Sequence, residues 1–221
     1  MRQRIVIVNP NSTAAVTEGI SAAVAPLRAA QGPEIDCVTL EEGPPGIETQ
    51  AQIDAVVPPL LARLKREAAD ASVIACFSDP GLQAARAETG RPVFGIAESG
   101  FRKALTLRPR FGILAILEAS SVRHRRYVAA LGLSESFAGS LPLDLGVLEL
   151  QDRDRTFGRM VDVGRALRDD KGAEVLVLGC AGMPQYRDDL AEELGLPVVE
   201  PCRTAAEAAL AALQSAGAAA P

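Results

Sequence analysis

The sequence predicts an α/β protein of two similar lobes, each built on a parallel sheet, with a site in the cleft between them. Two observations predict this: buried apolar strands alternate with helical stretches, and one set of landmarks occurs twice, half a chain apart. Arg4-Ile-Val-Ile-Val-Asn9 is matched by Arg110-Phe-Gly-Ile-Leu-Ala115, 106 residues later. Ala71-Ser-Val-Ile-Ala-Cys76 is matched by Ala173-Glu-Val-Leu-Val-Leu-Gly-Cys180, with the cysteines 104 residues apart. A proline follows each cysteine four positions on, as Pro80 and Pro184. Each copy then closes on Gly-x-Pro-Val, at Gly90–Val93 and Gly195–Val198. Four landmarks in the same order point to an internal duplication. It divides the chain into residues 1–98 plus 205–221 as one lobe and 99–204 as the other.

The helices follow from capping residues and breakers. Asn11-Ser-Thr13 is placed to cap a first helix over 14–30. A second covers 50–69, where Pro58-Pro59 is expected to kink or split it. A third runs over 81–89, between Pro80 and Gly90. The second copy predicts helices over 121–131, 156–170 and 185–194. A last helix, 204–214, is expected to pack back on the first lobe.

Composition excludes several functions. The 221 residues carry 23 Lys and Arg against 28 Asp and Glu, a formal charge of −5, and the three lysines form no cluster. That balance argues against nucleic acid as a partner. No apolar run approaches the roughly 18 residues of a membrane span, so no membrane association is expected. A single histidine rules out multi-histidine metal sites, and neither a phosphate loop nor zinc-type Cys-x-x-Cys spacing is present. Four cysteines are too few for a disulfide scaffold, which points to free thiols in the cytoplasm. Ala-rich helix faces point to a homo-oligomer.

Ligands of parallel α/β sheets bind beyond the carboxyl ends of the strands. Cys76 and Cys180 sit at two such ends, so a pseudo-twofold would bring them together across the cleft. Each precedes a predicted helix, whose N-terminus favours a thiolate near neutral pH. A thiolate on one face of a carbon and a thiol on the other can remove a proton and return one, which is racemisation or epimerisation of a small molecule. The enolate formed needs hydrogen-bond donors. Ser78 and Gly81, with Ala181 and Gly182, are small enough to let backbone amides approach it. Asn9 and Asn11 are placed to bond a ligand at the mouth of the first strand, with Ser120 and Ser121 at the matching place in the second lobe. Asp79 is read as the cap of the helix it precedes, though it could also tune Cys76. His124, within Arg123-His-Arg-Arg126, is read as part of a solvated helix face. Cys37 and Cys202 have no counterpart in the repeat and are read as structural.

Asn9-Pro-Asn-Ser-Thr13, Cys76-Phe-Ser-Asp-Pro-Gly-Leu82 and Leu178-Gly-Cys-Ala-Gly-Met183, in that order, resemble the hydantoin racemase branch of the aspartate/glutamate racemase superfamily. The resemblance covers nearly the whole chain. It implies two Rossmann-like lobes and a cofactor-independent racemase with Cys76 and Cys180 as acid and base. It also implies a substrate carbonyl or ring amide held by Asn11 and by the backbone after each cysteine. The chain departs from that pattern at Ala115-Ile-Leu117, where the family tends to carry hydroxyl residues, and at Ser78, where it usually has glycine. The asparagines and the apolar Ala-Ile-Leu stretch favour a hydantoin or a related cyclic ureide. The alternatives are an amino-acid racemase, a related decarboxylase or isomerase, and a two-lobed binding protein without chemistry.

Overall fold

In the computed structural model, which describes residues 2–218, the chain forms two four-stranded sheets with helices packed around them. The first sheet is built from β1 (Arg4–Asn9), β2 (Glu34–Thr39), β3 (Ala71–Ile74) and β4 (Val93–Gly95), and the second from β5 (Phe111–Ala115), β6 (Phe137–Pro142), β7 (Val175–Leu178) and β8 (Val198–Val199). Their orders are β2-β1-β3-β4 and β6-β5-β7-β8, and every pairing is parallel.

The duplication extends to single hydrogen bonds. The Ala75 amide donates to Val8 O and the Gly179 amide to Leu114 O, each at 2.9 Å. Asp70 to Arg4 in the first lobe is matched by Glu174 to Arg110 in the second. These bonds carry each chain past the sheet and into its cysteine. Gly179 is required there, because a Cβ would lie 2.3 Å from Leu114 O.

The helices are α1 (Ala14–Val24), α2 (Gln50–Glu67), α3 (Leu82–Thr89), α4 (Ile96–Leu107), α5 (Glu118–Ala130), α6 (Arg153–Asp169), α7 (Arg187–Leu194) and α8 (Pro201–Ala218). Three expectations need correction. The first helix stops at Val24, with a 3-10 turn over Ala25–Leu27, and its Thr13 cap makes no side-chain capping bond. Asn11 Oδ1 instead accepts from the Thr13 amide at 3.0 Å. Pro58 and Pro59 do not split α2. Pro58 lies on the exposed side, where water can take up carbonyls that lose their partners, while Val56, Leu60 and Leu64 hold the opposite face in the core.

One apolar core runs from β1 and α1 through Phe77 and Phe101 to β5, β7 and α8. A smaller one lies under α2 and α3, on the other face of the first sheet. As expected, α8 packs on the first sheet, against β1, β3 and β4. Residues 98 and 204 both lie inside helices, α4 and α8, and α4 touches β5 and β7 as well as β4. The chain therefore passes between the lobes within packed helices.

Candidate active site

Cys76 and Cys180 line one cavity. Asn11, Ser78, Ser120 and Ala181 line it too, with Ile47, Ile116 and Val147 as apolar walls. The cavity measures about 30 Å³, room for about one water molecule.

Each cysteine sulfur is met by the backbone amide two residues on. The Gly182 amide donates to Cys180 Sγ at 3.4 Å, and the Ser78 amide, two residues after Cys76, likewise bonds its sulfur. These bonds favour thiolates, but burial outweighs them. It pushes Cys76 up to about 12, with Cys180 nearby adding to the rise, and Cys180 up to about 11. The expected thiolates near neutral pH are therefore corrected. Helix α3 begins six residues beyond Cys76 and α7 seven beyond Cys180, too far for a helix terminus to offset that desolvation.

Four of the expected ligand residues stand back from this cavity. Asn9 is fully buried, and its amide donates to Asn11 Oδ1 and Thr17 Oγ1, both at 3.0 Å. It thereby orients Asn11. With Asn11 Oδ1 fixed by Asn9 and Thr13, its Nδ2 is the group left to donate. Ser121 is buried beside Ser140, and Gly182 lines the neighbouring cavity between α1 and Tyr186.

Asp79 does cap a helix, but not the one it precedes. Its carboxylate accepts from the Ala97 and Glu98 amides at the start of α4, at 3.0 and 2.8 Å, and from Tyr127 Oη at 2.8 Å. Its φ of 45° turns the chain so that the side chain reaches α4, and Gly95 leaves the necessary space. A Cβ on Gly95 would meet that carboxyl at 2.2 Å. Burial raises the Asp79 carboxyl to about 6, against the lowering effect of its three donors.

His124 corrects the sequence reading most sharply. It is 3% exposed and lines the cysteine cavity. Its ring packs edge-on against Phe77, with centroids 5.1 Å apart. Nδ1 lies 3.0 Å from Ser140 Oγ, which in turn donates to Ser121 Oγ. The neutral ring keeps one nitrogen as donor and the other as acceptor. Burial, assisted by Arg123, drives the imidazole down to about 3, so it is neutral. Arg123 also lines the cavity, and Nη2 donates to Glu48 O and Ser120 Oγ at 2.8 and 2.9 Å. The run of four basic positions masked both residues, because i to i+3 covers every side of a helix, including the buried one.

Cys202 is fully buried in the core, and Cys37 packs beside it, 3.8 Å from Arg28 Nη2. Neither lines the cysteine cavity.

Two thiols, amide donors and a neutral imidazole around one small cavity suit a carbon acid with a polar, uncharged ring. Comparison with known proteins bears on the family. A hydantoin racemase of Pseudomonas sp. strain NS671 is 34% identical over 201 residues, covering 89% of this chain and 80% of that protein. The solved allantoin racemase of Klebsiella pneumoniae superposes with a TM-score of 0.86 at 32% identity, covering 97% of this chain and 89% of its own. An allantoin racemase of Pseudomonas fluorescens shares the fold at a TM-score of 0.91 and 24% identity, covering 97% and 92%. The sequence model of the Asp/Glu/hydantoin racemase family matches residues 5–209, nearly the whole chain, and the protein belongs to that family.

Proposed function

We propose that the protein is a cofactor-independent racemase of 5-substituted hydantoins or a related cyclic ureide, acting through Cys76 and Cys180. The observation that carries this reading is the pair of equivalent thiols, one from each lobe, on a single small cavity. Relatives more than 30% identical that are named hydantoin and allantoin racemases support the substrate class. As working thiols, both cysteines suit a reducing compartment, and we place the protein in the cytoplasm.

In this mechanism one thiolate takes the C5 proton and the C–H electron pair moves into the adjacent carbonyl as an enolate. The opposite thiol then gives its proton to C5 from the other face. The product leaves with thiol and thiolate exchanged, so the reverse reaction starts from the state the forward one leaves. Asn11 Nδ2 is the donor for a ring carbonyl, and the His124 imidazole lines the same cavity. The amides of Ser78 and Gly182 offset part of the cost of a buried thiolate.

Both thiols titrate well above neutrality, so only a small fraction carries the thiolate at pH 7, and that fraction is correspondingly basic. The expected result is that kcat/KM climbs through the mildly alkaline range without levelling near about 8.5, where a free cysteine titrates. The test of the function is proton NMR of enantiopure 5-benzylhydantoin in D2O beside an enzyme-free control. Enzyme-dependent loss of the C5 proton with matching decay of optical rotation is expected; no loss with this substrate or with allantoin would refute the reading.

A further inference from the structure

Beside the cysteine cavity lies a larger one of about 290 Å³ that shares Phe77, Ser78, Arg123 and His124 with it. The shared walls make the two cavities neighbours. Its walls combine apolar and cationic groups: Ile53 and Phe77 on one hand, Arg123 and Arg126 on the other.

Neither arginine has a carboxylate within ion-pair distance among the described residues. Arg123 Nε is moreover the one buried side-chain nitrogen or oxygen among them with no hydrogen-bond partner. A buried donor left unpaired costs about 1–3 kcal/mol, more when charged, so a guanidinium in this state calls for an acceptor. The nearby acid does not supply one, since Asp79 is held by the Ala97 and Glu98 amides and Tyr127.

The cavity on the other side, about 280 Å³ against α1, shows the contrast. Its Arg153 is paired with Asp189 and lies over the Tyr186 ring. An arginine whose charge is already matched has no need of an anion, whereas the buried Arg123 Nε lacks an acceptor and Arg126, exposed to solvent, is free to turn to one.

We propose that the cavity bounded by Gln50, Ile53, Phe77, Arg123, Arg126 and Tyr127 receives the C5 substituent of the ureide and selects substituents that end in a carboxylate. A short apolar arm lies along Ile53 and Phe77, and the carboxylate meets the guanidinium groups, whose planar donors match its two oxygens. The class of substrate is thus a hydantoin with a carboxymethyl or carboxyethyl arm. This rests on the racemase reading above, and its test separates the two.

The probes are enantiopure 5-(carboxymethyl)hydantoin and its primary amide, which has the same shape without the charge, with 5-benzylhydantoin as reference. Enzyme-dependent C5 proton exchange in D2O gives kcat/KM for each. The carboxylate should exceed the amide by about tenfold or more. That ratio should fall toward one in Arg126→Gln. A ratio near one in the unaltered protein, or one unchanged in Arg126→Gln, would overturn the carboxylate subsite and leave the racemase reading standing. Exchange of 5-benzylhydantoin without exchange of either probe would do the same. Silence with all three and with allantoin would overturn both.

Discussion

Cys76 and Cys180 follow equivalent strands and bond equivalent backbone amides, yet the loops that carry them are anchored differently. The first is held through Asp79, whose carboxylate binds the start of α4 and Tyr127 on α5, so it is tied to an element that packs on the second sheet. The position equivalent to Asp79 is Met183, fully buried and apolar. There the helix after the fourth strand is capped by Glu200 instead, which accepts from the Cys202 and Arg203 amides at 2.9 and 2.6 Å. The second loop is held by packing and by Tyr186 Oη donating to Leu150 O at 2.7 Å. Duplication preserved the thiols and the strand ends. The supports diverged, and only the first passes from one lobe to the other through a buried charge.

The largest expected effect tests what the loops share. Cys76→Ser and Cys180→Ser should each reduce racemisation by about 10²–10⁴-fold, the range expected for loss of a positioned acid or base. Both variants should keep the melting temperature of the parent within a few degrees. Retention of full activity in either would break the equivalence of the two loops.

The next tests what they do not share. An aspartate raised to about 6 by burial stabilises the fold in its protonated form. Its contribution is complete below the unfolded value of about 3.9 and is lost as the pH rises through its folded value. The difference corresponds to about 3 kcal/mol. Asp79→Asn abolishes that titration, so the stability of the parent relative to this variant should drop by about 3 kcal/mol between roughly pH 4 and pH 7. Denaturant melts of both proteins across that range measure it, and a constant difference would show that the anchor does not titrate.

Tyr127→Phe removes one donor from the Asp79 carboxylate without changing the core volume. It should cost about 1.5–3 kcal/mol at neutral pH, as expected for a bond to a charged group. The corresponding test on the second loop is Asp189→Asn, which breaks a half-exposed pair with Arg153. That should cost less than about 1 kcal/mol by the same denaturant measurement.

Much of this was legible in the sequence, and for a definable reason. Both cysteines sit where a parallel strand ends, so residue spacing alone located them and, with the duplication, brought them to one place. Asn11, Ser78, Ser120 and Ala181 followed because they are near neighbours of those strand ends. What sequence reading missed depends on contacts between distant segments. Asp79 looks like a local cap until α4, 18 residues further on, is seen to arrive at its carboxylate. His124 and Arg123 sit in a basic run whose pattern resembles a solvated face, and only Phe77, Ser140 and the other lobe make that face an interior one. The thiol acidity is hidden for the same reason: a helix terminus is visible in sequence, but the depth of burial is not.

The central claim is that two thiols act on opposite faces of one carbon. The most direct test is the isotope content of substrate and product when enantiopure 5-benzylhydantoin reacts in D2O over the first few per cent of turnover. With two monoprotic bases, the product should carry deuterium at C5 from its first appearance while recovered substrate keeps its protium. Equal deuterium in substrate and product would mean that a single base serves both faces, and the two-cysteine account would be contradicted.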